Sequence, residues 1–288
     1  MQNKCLVCLS DKFETAKKYP GLRICGICGF LTTEALMSDK ELSALYGESY
    51  FHGNEYSDYT RDKEAIQRNF TNRLKILGQY TNNQHKKIFE IGCAYGFFLD
   101  IAQHKFHEAS GVDISADAIK YATYSLNLNA SVGNYLEMNI PPYDICCMWD
   151  TIEHLRDPNK FIEKISLEIS QDGLLAITTG DIGSLNARFR GRKWRQIHPP
   201  THLHYFCIAT LEKLLNRFGF DVVHVCHPSN LINISTAMYI TLVIQRNKEK
   251  LYRSFKRISG SLSNFCLPVN LGDIMYVIAQ KKRIQGCS

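Results

Sequence analysis

Two groups of residues in this 288-residue chain have types and spacings that could do chemistry. The first is a pair of Cys-x-x-Cys turns, Cys5/Cys8 and Cys25/Cys28, separated by 16 residues. Such turns present paired thiolates to a tetrahedral ion, and four cysteine ligands leave no open coordination position, so a structural zinc is expected. The second is Glu90-Ile91-Gly92-Cys93-Ala94-Tyr95-Gly96, followed 21 residues beyond Gly92 by Asp113. Glycine lacks a Cβ, so Gly92 and Gly96 let the backbone turn sharply and let a ligand lie against bare peptide groups at a helix N-terminus. A carboxylate about 20 residues on, at the tip of the next strand, accepts hydrogen bonds from ribose hydroxyls in nucleotide-binding α/β units.

The details of the loop narrow the ligand. A dinucleotide fingerprint, Gly-x-Gly-x-x-Gly, would place glycine where this chain has Ala94; the extra glycine admits a pyrophosphate. The loop therefore suits a nucleoside without a diphosphate. Glu90 points the same way, because a carboxylate before the turn repels phosphate and attracts an amino group or a sulfonium charge.

With Glu90, Gly92 and Gly96 on its acidic and glycine positions, this segment resembles the first motif of class I S-adenosylmethionine-dependent methyltransferases. The resemblance implies a Rossmann-like α/β fold with a seven-stranded sheet whose last strand runs antiparallel. It implies a cofactor site that includes Glu90, Gly92, Cys93, Ala94, Gly96, Asp113 and Ile114. It also makes Asn134 the group that reads the adenine edge and Tyr135 a ring flanking it, and it puts Trp149 and Asp150 near the adenosyl methionine at the end of the fourth strand.

The elements that must position these residues are legible from periodicity. Ala65 to Leu77 carries Ile66, Phe70, Leu74 and Leu77 at helical intervals. The run at Lys87 to Ile91 predicts the first strand, and Ser115 predicts an N-cap for a helix through Ala122. Tyr143 to Trp149, Leu174 to Thr179, Asp221 to Cys226 and Asp273 to Ala279 predict later strands. A helix bearing Leu211, Leu214, Leu215 and Phe218 is expected to stop at Gly219. Leu231 to Ile244 is predicted as a packed helix, short of the roughly 20 apolar residues a membrane span needs. The expected division is a zinc ribbon over 1–38, a tyrosine-rich and helical linker over 39–82, and the methyltransferase domain over 83–288. Aromatic residues between Glu41 and Tyr59 could close over a ligand or simply pack onto the domain.

The acceptor side rests on histidines. His154, one turn beyond the fourth strand, can reach a substrate, and the Pro199-Pro200-Thr201-His202-Leu203-His204-Tyr205-Phe206 string follows a basic segment, Arg188 to Arg195. Together they resemble bacterial methyltransferases of sugar and cell-surface polysaccharide pathways, which are close to the sugar C-methyltransferases. In the latter a histidine matching His154 and a Glu-His pair line the substrate pocket. Here His202 matches the paired histidine, but the glutamate position is Thr201 and the tyrosine position is Pro199. C-methylation needs a well-supported base and enolate stabilisation, whereas O-methylation needs one positioned base, such as His202 or His154. The resemblance to sugar and polysaccharide-pathway methyltransferases implies a sugar hydroxyl as the acceptor. C-methylation, an RNA or protein acceptor, and a non-catalytic binding role stay open. His202 and His204 would share one face of a strand, a geometry for a second metal, but no third ligand is in view.

Composition sets outer bounds. A 45% hydrophobic content supports a sizeable core, and a net charge of +6 is too weak to demand nucleic acid yet suits anionic substrates such as nucleotide sugars. Eleven cysteines without an apolar leader at Met1-Gln2-Asn3-Lys4-Cys5 suggest a cytoplasmic setting and metal ligation over disulfides. The ribbon could dock on the core, mediate homo-oligomerisation or help bind substrate.

Overall fold

The computed structural model describes residues 4–34, 60–244, 246, 248–259 and 265–283. The tyrosine-rich stretch from Glu41 to Tyr59 lies outside them. Alternating apolar runs and helical periods assemble a seven-stranded sheet between two layers of helices. Its strands are β4 (Lys87–Ile91), β5 (Glu108–Asp113), β6 (Asn129–Val132), β7 (Tyr143–Trp149), β8 (Ile169–Gly180), β10 (Phe220–Cys226) and β13 (Ile274–Lys281). The spatial order is β10-β13-β8-β7-β4-β5-β6. The five strands from β6 to β8 run parallel, while β13 pairs antiparallel with both β8 and β10. This is the expected Rossmann-like sheet with its reversed seventh strand.

The central strands are buried on both faces, so they read as continuous apolar runs: Ile145, Cys146, Cys147 and Met148 are all at 0% exposure. One face packs α1 (Lys63–Leu77), α2 (Phe97–Ala102) and α3 (Ala116–Tyr124) around Phe70, Phe98 and Ile119. The other packs α4 (Pro158–Glu168) and α6 (Ile208–Arg217) through Ile162, Ile165, Leu211, Leu214 and Leu215, with the short α5 (Leu185–Arg190) between them in the chain. Ser115 caps α3 by accepting from the Ala118 amide, as its position predicts.

The N-terminal hairpin is not a separate bead. Strands β1 (Phe13–Thr15), β2 (Leu22–Cys25) and β3 (Leu31–Thr33) form an antiparallel sheet that is extended by β9 (His204–Tyr205), through the pairs Leu31–Tyr205 and Thr32–His204. Cys5, Leu6, Val7 and Phe30 join the same apolar cluster as Phe206, Leu211 and Phe220. A second cluster unites Leu22 and Leu31 with Trp194 and Tyr205. Arg217 Nη1 donates to the Leu6 and Val7 carbonyls, closing the seam.

One predicted helix changes character. Leu231 to Ile244 begins as a strand, β11 (Asn230–Asn233), paired with β12 (Cys266–Val269), and only then turns into α7 (Ile234–Tyr239) and a π-turn over Ile240–Ile244. A strand partner 33 or more residues away overrides local apolar period. Beyond it lies α8 (Glu249–Ser259), a basic helix with Leu251 and Ile258 exposed and Tyr252 buried. Among the described residues no helix is long and apolar enough to cross a membrane.

Phe206 tests how firmly ribbon and sheet are joined: it is fully buried, and its ring centroid lies 5.2 Å from that of Phe30. Phe206→Ala is expected to cost about 3–5 kcal/mol in urea unfolding, the range for a large aromatic removed from a close-packed core; a loss below about 1 kcal/mol would mean that the hairpin is only loosely docked.

Candidate functional site

Parallel strands end on one edge of the sheet, and ligands of open α/β sheets bind beyond those carboxyl ends. Three strand ends supply the predicted residues. Strand β4 runs out at Ile91 into Gly92 (φ 79°), Ala94 (φ 43°) and Gly96 (φ 75°), after which α2 begins. A Cβ at Gly92 would stand 2.7 Å from Thr151 Oγ1, so glycine there lets the segment following β7 pack directly against the loop. At Gly96 the conflict is with Leu128 and Ala122, so that glycine serves the packing of the loop on α3.

Strand β5 ends at Asp113, whose Oδ2 accepts from the Ala94 amide and whose Oδ1 accepts from the Ser115 amide, each at 2.8 Å. Each oxygen keeps a second lone pair for another donor. Burial raises the carboxyl above its ordinary range, with these backbone donors opposing the rise. Ile114 beside it is 46% exposed, an apolar surface next to the acid. Glu90 lies beneath, 2% exposed, with Oε2 lacking a partner among the described residues. Its carboxyl is pushed well above the usual range by burial and by Asp113, opposed by Arg73. An orphaned buried acid beneath the glycine turn fits a ligand bringing a donor or positive charge, as the sulfonium and amino groups of S-adenosylmethionine would.

Strand β7 ends at Trp149 and Asp150. Asp150 adopts φ 51°, and its amide donates to the Thr178 carbonyl. Its Oδ1 accepts from Thr178 Oγ1 at 3.1 Å, and its Oδ2 lies 3.6 Å from Arg73 Nη2. Trp149 is 6% exposed and packs edge-on against Phe98 and Tyr276, so it floors the site and does not line it openly. Cys93, 3% exposed, is likewise packed under the loop, and its thiol is raised well above the usual range by burial.

Arg73 was not singled out from sequence. It sits in α1 at 6% exposure, its guanidinium over Trp149 and Phe70, with Nε unpaired among the described residues. The available signal was an arginine on the apolar face set by Phe70, Leu74 and Leu77, a place where a charge needs a partner.

The adenine expectation needs correction for Tyr135. Its side chain lies on the opposite face of the sheet, 1% exposed, with the hydroxyl bonded to Tyr143 and Glu168 and the ring beside Phe89 and Phe161. A tyrosine whose ring and hydroxyl are both consumed by the core cannot flank a ligand. Asn134 caps the 3-10 turn that follows: its Oδ1 accepts from the Leu136 amide and its Nδ2 donates to Glu137.

Beyond β7, the 3-10 turn Ile152–His154 faces the loop carrying His202. The Leu203 amide donates to the Glu153 carbonyl at 2.8 Å, and His154 Nδ1 donates to the Thr201 carbonyl at 2.9 Å. The rings of His154 and His202 meet edge to face at 4.6 Å, with His198 6.2 Å from His202. Burial, together with His154 and His198, holds His202 well below its ordinary pKa, so it is neutral at pH 7. Thr201 supplies no carboxylate, but Glu153 does: ligand atoms of Glu153, His154 and His202 all lie within 4.8 Å of one another. His204 does not join them; its ring is 1% exposed and its Nδ1 is 2.9 Å from Thr32 Oγ1, because β9 begins only at His204. The basic residues Arg188, Arg190, Arg192, Lys193 and Arg195 are exposed, while Trp194 between them is buried and donates to Asp273.

At the other end of β3 the four cysteines converge, with Cys5 Sγ 3.6 Å from Cys28 Sγ and Cys8 Sγ 3.5 Å from Cys25 Sγ. A disulfide needs about 2.05 Å. Thiolates around tetrahedral zinc, at about 2.3 Å from the metal, stand about 3.8 Å apart, so the cluster fits the ion with little movement. Burial raises Cys5 to about 11; at Cys25 the same desolvation is outweighed by the amides of Cys28 and Ile27, which bring it to about 7. Because β3 carries β9 on its edge, removing the ion with a chelator is expected to raise amide hydrogen exchange at Leu203 to Phe206 by at least tenfold. Exchange confined to residues 4–34 would show that the loop stands without the ribbon.

Comparison with known proteins gives one answer at the level of fold and family. A curated ubiquinone biosynthesis O-methyltransferase of Glaesserella parasuis is 26% identical over 37% of this chain and 51% of its own length, and one of Hydrogenovibrio crunogenus is 22% identical over 37% and 48%. The chain therefore spans about half the length of the curated relatives it matches. Among solved structures, the YcgJ protein of Bacillus subtilis superposes with a TM-score of 0.52 at 13% identity, covering 73% of this chain and 97% of its own. A SAM-dependent methyltransferase of Thermotoga maritima gives 0.50 at 15%, covering 78% and 94%. The family model described as "Methyltransferase domain" matches residues 60–225, more than half of the chain, from the helix bearing Arg73 to the sixth strand of the sheet. With that span enclosing the glycine loop, Asp113, Asp150 and both histidines, the chain belongs to the methyltransferase-domain family.

Proposed function

We propose that this chain is an S-adenosylmethionine-dependent methyltransferase that methylates a hydroxyl of a small molecule, a nucleotide-linked or cell-surface sugar. The observation that carries the reading is the convergence of Gly92, Asp113 and Asp150 at one sheet edge, with His154 and His202 immediately beyond. The domain division is a ribbon over 1–38, a linker over 39–82 and the catalytic unit over 83–288, with Arg73 contributed to the site by the linker's helix.

When bound, S-adenosylmethionine supplies an electrophilic methyl on a sulfonium. Asp113 accepts from the ribose hydroxyls with its remaining lone pairs, Ile114 offers the adenine an apolar face, and Asn134 stands at the base edge. Arg73 offers its guanidinium to the methionine carboxylate, and Glu90 with Asp150 balances the positive charge of the amino and sulfonium groups. His202, neutral at pH 7, is placed to take the acceptor proton, with His154 held in one tautomer by the Thr201 carbonyl. Placing the acceptor oxygen in line with the methyl contributes most of the rate, through orientation rather than covalent chemistry.

Oxygen is favoured over carbon because Thr201 stands where the related C-methyltransferases have glutamate, and because the curated relatives are O-methyltransferases. Calorimetric titration of the zinc-loaded chain with S-adenosylmethionine is expected to show saturable binding that Asp113→Ala weakens at least tenfold, about 1.4 kcal/mol. Arg73→Met is expected to do the same. A folded protein that does not bind the cofactor would sink the reading. If it binds, nucleotide sugars are screened by S-adenosylhomocysteine release, and His202→Ala is expected to lower kcat by about 10²–10⁴ with the cofactor affinity unchanged.

A further inference from the structure

We infer that Glu153, His154 and His202 form a second metal site, one that holds a divalent cation against the acceptor hydroxyl. The inference rests on the methyltransferase reading above and gives that reading a substrate class: an acceptor able to bind a cation through the oxygen that is methylated.

The three side chains come from two segments that backbone bonds lock together, since Leu203 donates to the Glu153 carbonyl and His154 Nδ1 donates to the Thr201 carbonyl. An imidazole whose Nδ1–H is committed to a backbone carbonyl presents Nε2 as its ligand atom, the usual outer arrangement of metal-binding histidines. The rings of His154 and His202 stand edge to face at 4.6 Å, and both side chains are half-buried, so solvent ions can reach them. Glu153 is 3% exposed, and its Oε2 has no hydrogen-bond partner among the described residues. A buried carboxylate oxygen left unsatisfied costs free energy that a cation would recover.

Distances decide between a metal and a chance cluster. The candidate ligand atoms lie within 4.8 Å of one another. Ligands of one ion at about 2.0–2.2 Å stand about 3.0–3.4 Å apart, so rotamer shifts of about an ångström close the shell. Two imidazoles and one carboxylate leave further positions open, as in catalytic metal centres, unlike the four-thiolate cluster of the ribbon, which leaves none. One of those positions suits the acceptor hydroxyl. The cation polarises its O–H bond, the proton passes to solvent, and an oxygen electron pair forms the new O–C bond while the C–S pair returns to sulfur, releasing S-adenosylhomocysteine. Both histidines then act through the cation, and His202 no longer needs to carry the proton itself.

Manganese is the probe, because a hard cation prefers nitrogen and oxygen ligands and leaves the thiolate cluster to zinc. The zinc-loaded full chain is titrated with Mn²⁺, followed by loss of the free-ion electron paramagnetic resonance signal, and excess Zn²⁺ is followed by elemental analysis after dialysis. One added ion per chain is expected, with binding weakened at least tenfold in both Glu153→Gln and His202→Asn while each variant still binds S-adenosylmethionine. The inference is overturned if neither ion binds up to about 1 mM, or if both variants bind as the parent does, in protein that retains cofactor binding. Loss of cofactor binding in the parent chain overturns the methyltransferase reading instead.

Discussion

Two backbone pairs, Leu31 with Tyr205 and Thr32 with His204, govern the architecture of the acceptor side. Residues 198–206 hold His202 against His154, with only the two-residue strand β9 among them. The ribbon supplies that strand's ladder. Thr32 Oγ1 donates to the Leu203 carbonyl at 3.1 Å, and the Thr33 amide donates to the same carbonyl at 2.9 Å. On its other side Leu203 donates to Glu153. The loop is thus a layer between the four-cysteine hairpin and the end of the central strand, and its histidines inherit the rigidity of both.

The cofactor side works by a different constraint. Burial raises the carboxyls of both Glu90 and Asp113, and the parallel strands place Asp113 close enough to disfavour ionisation of Glu90 further. Such an edge is poor in positive charge, with Arg73 as its resident cation and Asp150 3.6 Å from it. A sulfonium nucleoside would relieve the mismatch, whereas a pyrophosphate would deepen it. The same electrostatics that Glu90 announced in the sequence therefore reappears as an unsatisfied carboxylate in the fold.

Local signals carried far. The glycine turn, Asp113, the Ser115 cap, the two Cys-x-x-Cys turns and most strands were legible because each depends on neighbours in the chain. What escaped depended on partners far away. The family resemblance makes Tyr135 a ring beside the adenine because it lies in the loop after the third strand, but the side of the sheet on which it falls is fixed by α4 packing through Glu168 and Phe161. The start of the expected helix at Leu231 became a strand because Cys266–Val269 pairs with it. His204 was paired in thought with His202, but the ribbon claims it. Glu153 and Arg73 gained meaning only when residues more than 45 positions away closed around them.

The strand at His204–Tyr205 has a consequence for synthesis of the chain. Its bond to Thr32, through the His204 ring, spans 172 residues, so a ribosome completes the cysteine knuckles long before the strand that covers their open edge emerges. Through that interval β3 presents unpaired amides and carbonyls, and Leu6, Val7 and Phe30 lack the surface that buries them. Closure waits on a contact of high sequence separation, which is slow to form. The nascent hairpin therefore needs protection from its neighbours on crowded polysomes.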